Sequence, residues 1–150
     1  MRKFRILLVG LILSGCATPY QKNGLKGGYE DMKLSKDMFQ VSFRGNGYTS
    51  GDVVQKYFLR RCAELTIEQG FDHFAIVDQE ADAATQIKGT RYNGTVSEDS
   101  SGDYSYRGTA STKTVTRHSR TGTIKLFKEG NEPPISFEAR EVMSNFKEHK

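Results

Sequence analysis

Phe39, Val41 and Phe43 alternate with Gln40, Ser42 and Arg44, the two-residue period of a strand with one buried face. Gly45-Asn46-Gly47 then supplies turn chemistry, and from residue 51 to 69 the apolar positions Val54, Phe58, Cys62 and Leu65 recur at helical spacing. Thr49 or Ser50 can cap that helix, Asp52 suits its N-terminus, and Gly70 is placed to end it. Phe74, Ala75, Ile76 and Val77 form a short continuous apolar run, which predicts a central strand covered on both faces. Residues 84–96 are weaker strand material, broken by Gly89 and Gly94. Ile124 and Leu126 alternate with polar neighbours, as do Ile135, Phe137 and Ala139, and the 129–134 segment between them reads as a hairpin loop.

The order of strand, helix, strand and further strands without a second helix predicts an α+β fold. Its expected form is a mainly antiparallel sheet with one principal helix packed on one face. Between residues 97 and 122 serine, threonine, glycine and charge dominate. A polar excursion is expected there, either disordered or a long hairpin protruding from the sheet.

At the N-terminus, Arg2, Lys3 and Arg5 precede an apolar run over residues 6–13, and Ser14-Gly15-Cys16 closes it. This is the layout of a cleaved secretory signal over residues 1–15; the run is too short for a transmembrane helix, which needs roughly 20 apolar residues. Leu13-Ser14-Gly15-Cys16 resembles the lipobox of bacterial lipoproteins. The resemblance implies lipid on the sulfur and amine of Cys16, a membrane anchor held by several acyl chains. Ala17, where inner-membrane lipoproteins of enteric-type bacteria carry aspartate, implies the outer membrane with the domain facing the periplasm. Residues 16–37, with Pro19, Gly24, Gly27, Gly28 and four lysines, read as a tether holding the domain roughly 25 Å from the lipid, with Tyr20, Leu25 and Tyr29 as side chains able to dock on the domain. Residues 38–150 then form a single domain.

Processing changes the charge. With Arg2, Lys3 and Arg5 removed from the 22 basic residues, 19 face 18 acidic ones, so the precursor's net +4 is no argument for nucleic acid as a partner. Lipidation also consumes Cys16, leaving Cys62 as a small buried thiol on the core face of the helix.

The chemistry-bearing motifs are incomplete. Gly45, Gly47 and Gly51 have the spacing G-x-G-x-x-x-G, not that of a dinucleotide cradle, and no cofactor is expected. His73, His118 and His149 form no metal-ligand pair, so no metal is expected either. In Gly47-Tyr48-Thr49-Ser50-Gly51 the serine falls one place late for a nucleophile elbow. The carboxylates are scattered, and the chain reads as a non-enzyme with no catalytic residues.

The strongest binding signal is a charge gap. From residue 104 to 128 no acidic residue occurs, while Arg107, Lys113, Arg117, His118 and Arg120 accumulate beside Tyr104 and Tyr106. Such a surface suits anionic envelope lipid, acidic groups of peptidoglycan or an envelope protein.

The motifs Gly27-Gly28-Tyr29, Phe39-Gln40-Val41-Ser42-Phe43-Arg44-Gly45-Asn46-Gly47-Tyr48-Thr49, Leu59-Arg60-Arg61-Cys62-Ala63-Glu64-Leu65-Thr66 and Gly70-Phe71-Asp72-His73-Phe74 resemble a family of small proteobacterial envelope lipoproteins. The likeness spans residues 13–78 and returns at Phe137-Glu138-Ala139-Arg140-Glu141-Val142. Alanine in relatives at the position of Cys62 implies that this thiol packs and does not react. The resemblance implies location and fold but no activity. The expected role is a non-enzymatic binding or accessory protein anchored to the outer membrane; a lipid-tethered periplasmic hydrolase is the alternative.

Overall fold

The computed structural model describes residues 16–146. The signal segment 1–15 and His149 lie outside the described residues. The strands are β1 (Gly28–Lys33), β2 (Met38–Arg44), β3 (His73–Glu98), β4 (Tyr104–Phe127) and β5 (Phe137–Glu138). The helices are α1 (Gly51–Glu68) and α2 (Ala139–Ser144). The sheet runs in the order β1-β2-β4-β3-β5 with antiparallel pairing throughout, and α1 packs on one face, the expected α+β architecture.

Local signals set α1. The Ser50 hydroxyl accepts from the Val53 amide at 3.4 Å and Asp52 lies in the first turn. At the other end Gly70 takes φ +77°, its amide reaches the Ile67 carbonyl, and the Phe71 amide reaches that of Thr66. This pair of bonds is the Schellman stop that glycine permits. The buried face of α1, led by Val54, Phe58, Cys62 and Leu65, meets Val41 and Phe43 of β2, Phe74 of β3, and Ile124 and Leu126 of β4. Phe58 lies over Gly122, where a Cβ would come within 2.8 Å of its ring.

Four expectations about the sheet change. Gly28–Lys33, assigned by composition to the tether, is an edge strand paired with β2 from Gly28↔Arg44 to Lys33↔Phe39. The run at 74–77 is covered on one face only: Phe74 is fully buried, but Val77 is 60% exposed because it is the extra residue of a bulge between Ile76 and Asp78. β5 does not form a hairpin with β4, whose edges are already taken by β2 and β3; it pairs with β3 through His73↔Glu138 and Phe74↔Phe137. At Ala139 the alternation gives way to a second helix, with Ala139 buried and Val142 and Met143 packed against the core.

The polar excursion is a hairpin, and it begins far earlier than residue 97. β3 and β4 stay paired from His73↔Phe127 to Glu98↔Tyr104, interrupted by bulges at Val77 and Lys88. β2 leaves β4 at Ser119, followed by one bond from the Gly45 amide to the His118 carbonyl. Beyond that point a two-stranded arm extends roughly 50 Å, at about 3.3 Å per residue. Its tip is built on Asp99, whose side chain accepts from the amides of Ser101 (2.8 Å) and Asp103 (3.1 Å). Thr85–Thr116, Thr90–Thr112 and Ser97–Ser105 hydroxyl pairs cross its strands.

Candidate anchor and anion-binding surface

The segment after Cys16 is pinned to the domain. Thr18 is buried; its amide donates to the Thr49 hydroxyl at 2.9 Å and its own hydroxyl donates to the Lys26 carbonyl at 2.7 Å. That hydroxyl also accepts from the Asn46 amide at 2.8 Å. Asn46 in turn holds the Cys16 carbonyl through its Nδ2 at 2.8 Å, leaving Cys16 itself exposed. At Tyr20, two residues beyond Thr18, the ring stacks on Phe43, meets Tyr57 at a tilt of 57°, carries the Arg60 guanidinium 4.0 Å from its centroid, and donates its hydroxyl to Glu64. The expected reach of roughly 25 Å for a mobile tether therefore does not apply. Cys16 sits within two residues of a buried, fully bonded position.

The same loop joins Cys16 to the root of the arm. Gly47 lies so close to Val115 that a Cβ there would overlap its side chain. An open groove of about 460 Å3 runs between residues 47–50 and the stretch from Lys113 to Thr116 with His118.

The five basic residues of the charge gap all lie on β4 but do not share a face. Strand alternation puts Arg107, Lys113 and Arg117 on one side, and His118 and Arg120 on the side that continues the core face. His118 lies over Gly51 at the start of α1, and Arg120 donates to Gln79 at 2.9 Å. Antiparallel pairing supplies what the linear sequence separates. Arg91, opposite Ser111, joins Arg107 and Lys113, whereas Asp78, Glu80 and Asp82 lie opposite Thr123, Thr121 and Ser119 at the root. The gap in acidic residues is thus partly filled across the ladder. A register for β3 was needed to see either effect.

A second charged cluster, also missed, lies between β1 and α1. Arg61 is buried; its Nε meets Asp31 at 2.9 Å, its Nη1 and Nη2 meet Glu68 at 2.9 and 3.0 Å, and its plane covers Tyr29 at 4.6 Å. Burial disfavours the charge, but the bonds to Glu68 and Asp31 outweigh it and hold the guanidinium above its ordinary pKa. The cluster ties β1 to the helix. Burial likewise pushes the Cys62 thiol up, so the residue keeps its proton and packs.

His73 Nδ1 stands 3.8 and 3.9 Å from the carboxylates of Glu129 and Glu132 in the loop after β4, beyond hydrogen-bond distance. The backbone amide of Glu132 itself holds the Glu132 carboxyl below the usual range, and the nearby His73 adds to the effect. Among the described residues, no group of three histidine, cysteine or carboxylate side chains could hold a metal ion. Comparison of the chain with protein-family models, curated protein sequences and solved structures found no match.

Proposed function

We propose that this chain is a non-enzymatic envelope lipoprotein, anchored to the outer membrane through Cys16, whose domain engages anionic envelope groups at the root of its arm. The observation that carries the reading is the docking of Thr18 on Thr49, with Asn46 on Cys16. Lipid attached at Cys16 emerges beside the loop that packs on Val115, so the bilayer surface lies at the level of the arm's root. Arg117, His118 and Arg120 then stand at the height of lipid phosphates, where each arginine contributes about 1 kcal/mol of attraction. Phosphates and carboxylates of the envelope are the chemistry this surface suits.

Two measurements test it. Metabolic labelling with a palmitate analogue should mark the wild-type chain and not Cys16→Ala; label in both removes the anchor. For the surface, the chain starting at residue 16 with Cys16→Ser is sedimented with phosphatidylglycerol vesicles at low salt. Arg117→Glu with Arg120→Glu should weaken the association more than tenfold, from about 1 kcal/mol per basic group. Equal sedimentation of both proteins would remove the anion-binding surface.

A further inference from the structure

The outer part of the arm has two unlike faces. Over residues 89–98 and 104–113, the charged Arg91, Arg107 and Lys113 all lie on one side of the ladder. The other side presents Tyr92, Val96, Tyr104 and Tyr106, all exposed, separated by small residues and threonines. Its one charge is Glu98, at the tip. Tyr106 lies across Gly94 and Gly108, where a Cβ at either position would come within 2.7 Å of it, so the ring covers the bare backbone on that side.

Both edges of this ribbon are unpaired. β5 covers β3 only at His73 and Phe74, and β2 leaves β4 at Ser119. Among the described residues no helix is long and apolar enough to cross a membrane, a fact that bears on helices alone. Each strand of the outer arm has about ten residues, the length of a transmembrane β-strand. Tilted by about 40°, ten residues cover roughly 25 Å, the height of the apolar band of an outer-membrane barrel. The segment begins just beyond Val115, the level at which the Asn46 loop places Cys16.

We propose that the arms of several copies of this chain join edge to edge into a β-barrel that crosses the bilayer. The tyrosine and valine face meets lipid, and Arg91, Arg107 and Lys113 line a water-filled interior. Such a barrel rests on the proposed lipid attachment at Cys16. Edge pairing follows from the solvent: an open strand edge in hydrocarbon leaves backbone groups without partners, so a single hairpin cannot cross. Copies of the same chain are the occupant the edges fit, because each arm offers one β3 edge and one β4 edge, antiparallel to one another. A water-filled interior needs on the order of sixteen strands, or about eight arms. Three inward cations per copy make the conduit selective for anions.

The test uses the full lipidated chain, extracted in detergent and reconstituted in phosphatidylethanolamine/phosphatidylglycerol vesicles. Single substitutions Tyr92→Cys and Val96→Cys on one face, and Asn93→Cys and Thr95→Cys on the other, carry an environment-sensitive dye. Expected are apolar emission at 92 and 96, aqueous emission at 93 and 95, and a crosslinked ladder ending near eight copies. In planar bilayers, chloride should permeate several-fold better than potassium, and Arg91→Glu with Arg107→Glu should reverse the preference. Vesicles that float with bound protein while all four dyes report water would overturn insertion and leave the anchor standing. Alternating emission from a monomer would overturn the barrel in favour of an arm lying on the surface. Protein that fails to float removes the anchor and the barrel together.

Discussion

The amide of Thr18 donates to the hydroxyl of Thr49 at 2.9 Å, fixing the chain two residues after Cys16 to the turn that precedes α1. Thr49 also donates to the Asn46 side chain at 3.1 Å, so one hydroxyl serves both the N-terminal segment and the loop that touches the arm. Thr49→Val keeps the shape and removes both bonds. Leaving the buried Thr18 amide unpaired should cost about 1–3 kcal/mol. Urea denaturation measures the loss, and hydrogen exchange at Thr18 should quicken far more than at Val41 in the core. Unchanged exchange at Thr18 would show that the docking does not depend on this bond.

Arg61 gives a ranked prediction. Asp31 and Glu68 both bond it, but the Asp31 side chain is 26% exposed and that of Glu68 is 52%. Bonds to charged groups are worth about 1.5–3 kcal/mol when shielded and under about 1 kcal/mol in solvent. Asp31→Ala should therefore lower stability by about 2 kcal/mol, and Glu68→Ala by less than half of that. Thermal melts decide it. Equal losses would mean that solvent screens both pairs alike, and that β1 is held by its ladder to β2 alone.

These two sites show where a linear reading stops. The helix was legible because its capping serine, its apolar period and its terminal glycine are all local, and the antiparallel sheet with one main helix followed from it. The docking of residues 18–31 was legible only as an option for Tyr20, Leu25 and Tyr29, of which the two tyrosines pack on the core and Leu25 does not; its bonds were hidden because the partners of Thr18, Tyr20 and Asp31 lie some 30 or more residues away. The arm was hidden for a different reason. β3 carries extra residues at Val77 and Lys88, where its register against β4 shifts. Each bulge moves the inward positions from even to odd numbers or back, so a strict two-residue period holds along β4 but slips twice along β3. The basic residues were legible as a cluster, but in a segment whose composition allows disorder as readily as a hairpin. Their division between two faces, and the addition of Arg91, needed the ladder.

Alkaline conditions should weaken the fold in two steps. An unfolded thiol ionises near pH ~8.5 and an unfolded tyrosine near ~10. In the native chain both hold their protons to higher pH: Cys62 because it is buried, Tyr20 because it is buried and its hydroxyl donates to Glu64. Above pH ~8.5 the unfolded state therefore binds fewer protons than the native state, and stability falls as pH rises. Urea midpoints from pH 7 to 11 should decline, first through Cys62 and then through Tyr20. Cys62→Ala should flatten the part of the curve below pH ~10, and Tyr20→Phe the part above it. A double variant with the wild-type slope would assign the alkaline loss to other groups.

The arm adds nothing to the body's core, which predicts that it can be removed. The buried cluster takes Phe74 from β3 and Ile124 and Leu126 from β4, all at the root, while the outer strands are exposed. Ile87 and Thr114 face each other across the ladder just inside the second bulge. Replacing residues 88–113 by Asn-Gly closes that pair with a two-residue turn of the type that suits strand twist. A long two-stranded ribbon in water is marginal by itself, so its loss forfeits little. The shortened protein should melt within a few degrees of the full chain and keep the protection of Phe58 and Ile124 amides in hydrogen exchange. The same deletion should abolish the ladder of crosslinked copies in vesicles while the anchor still floats. A body that unfolds without its arm would mean that the ribbon makes stabilising contacts with the loop at residues 46–50 beyond the packing of Gly47 on Val115.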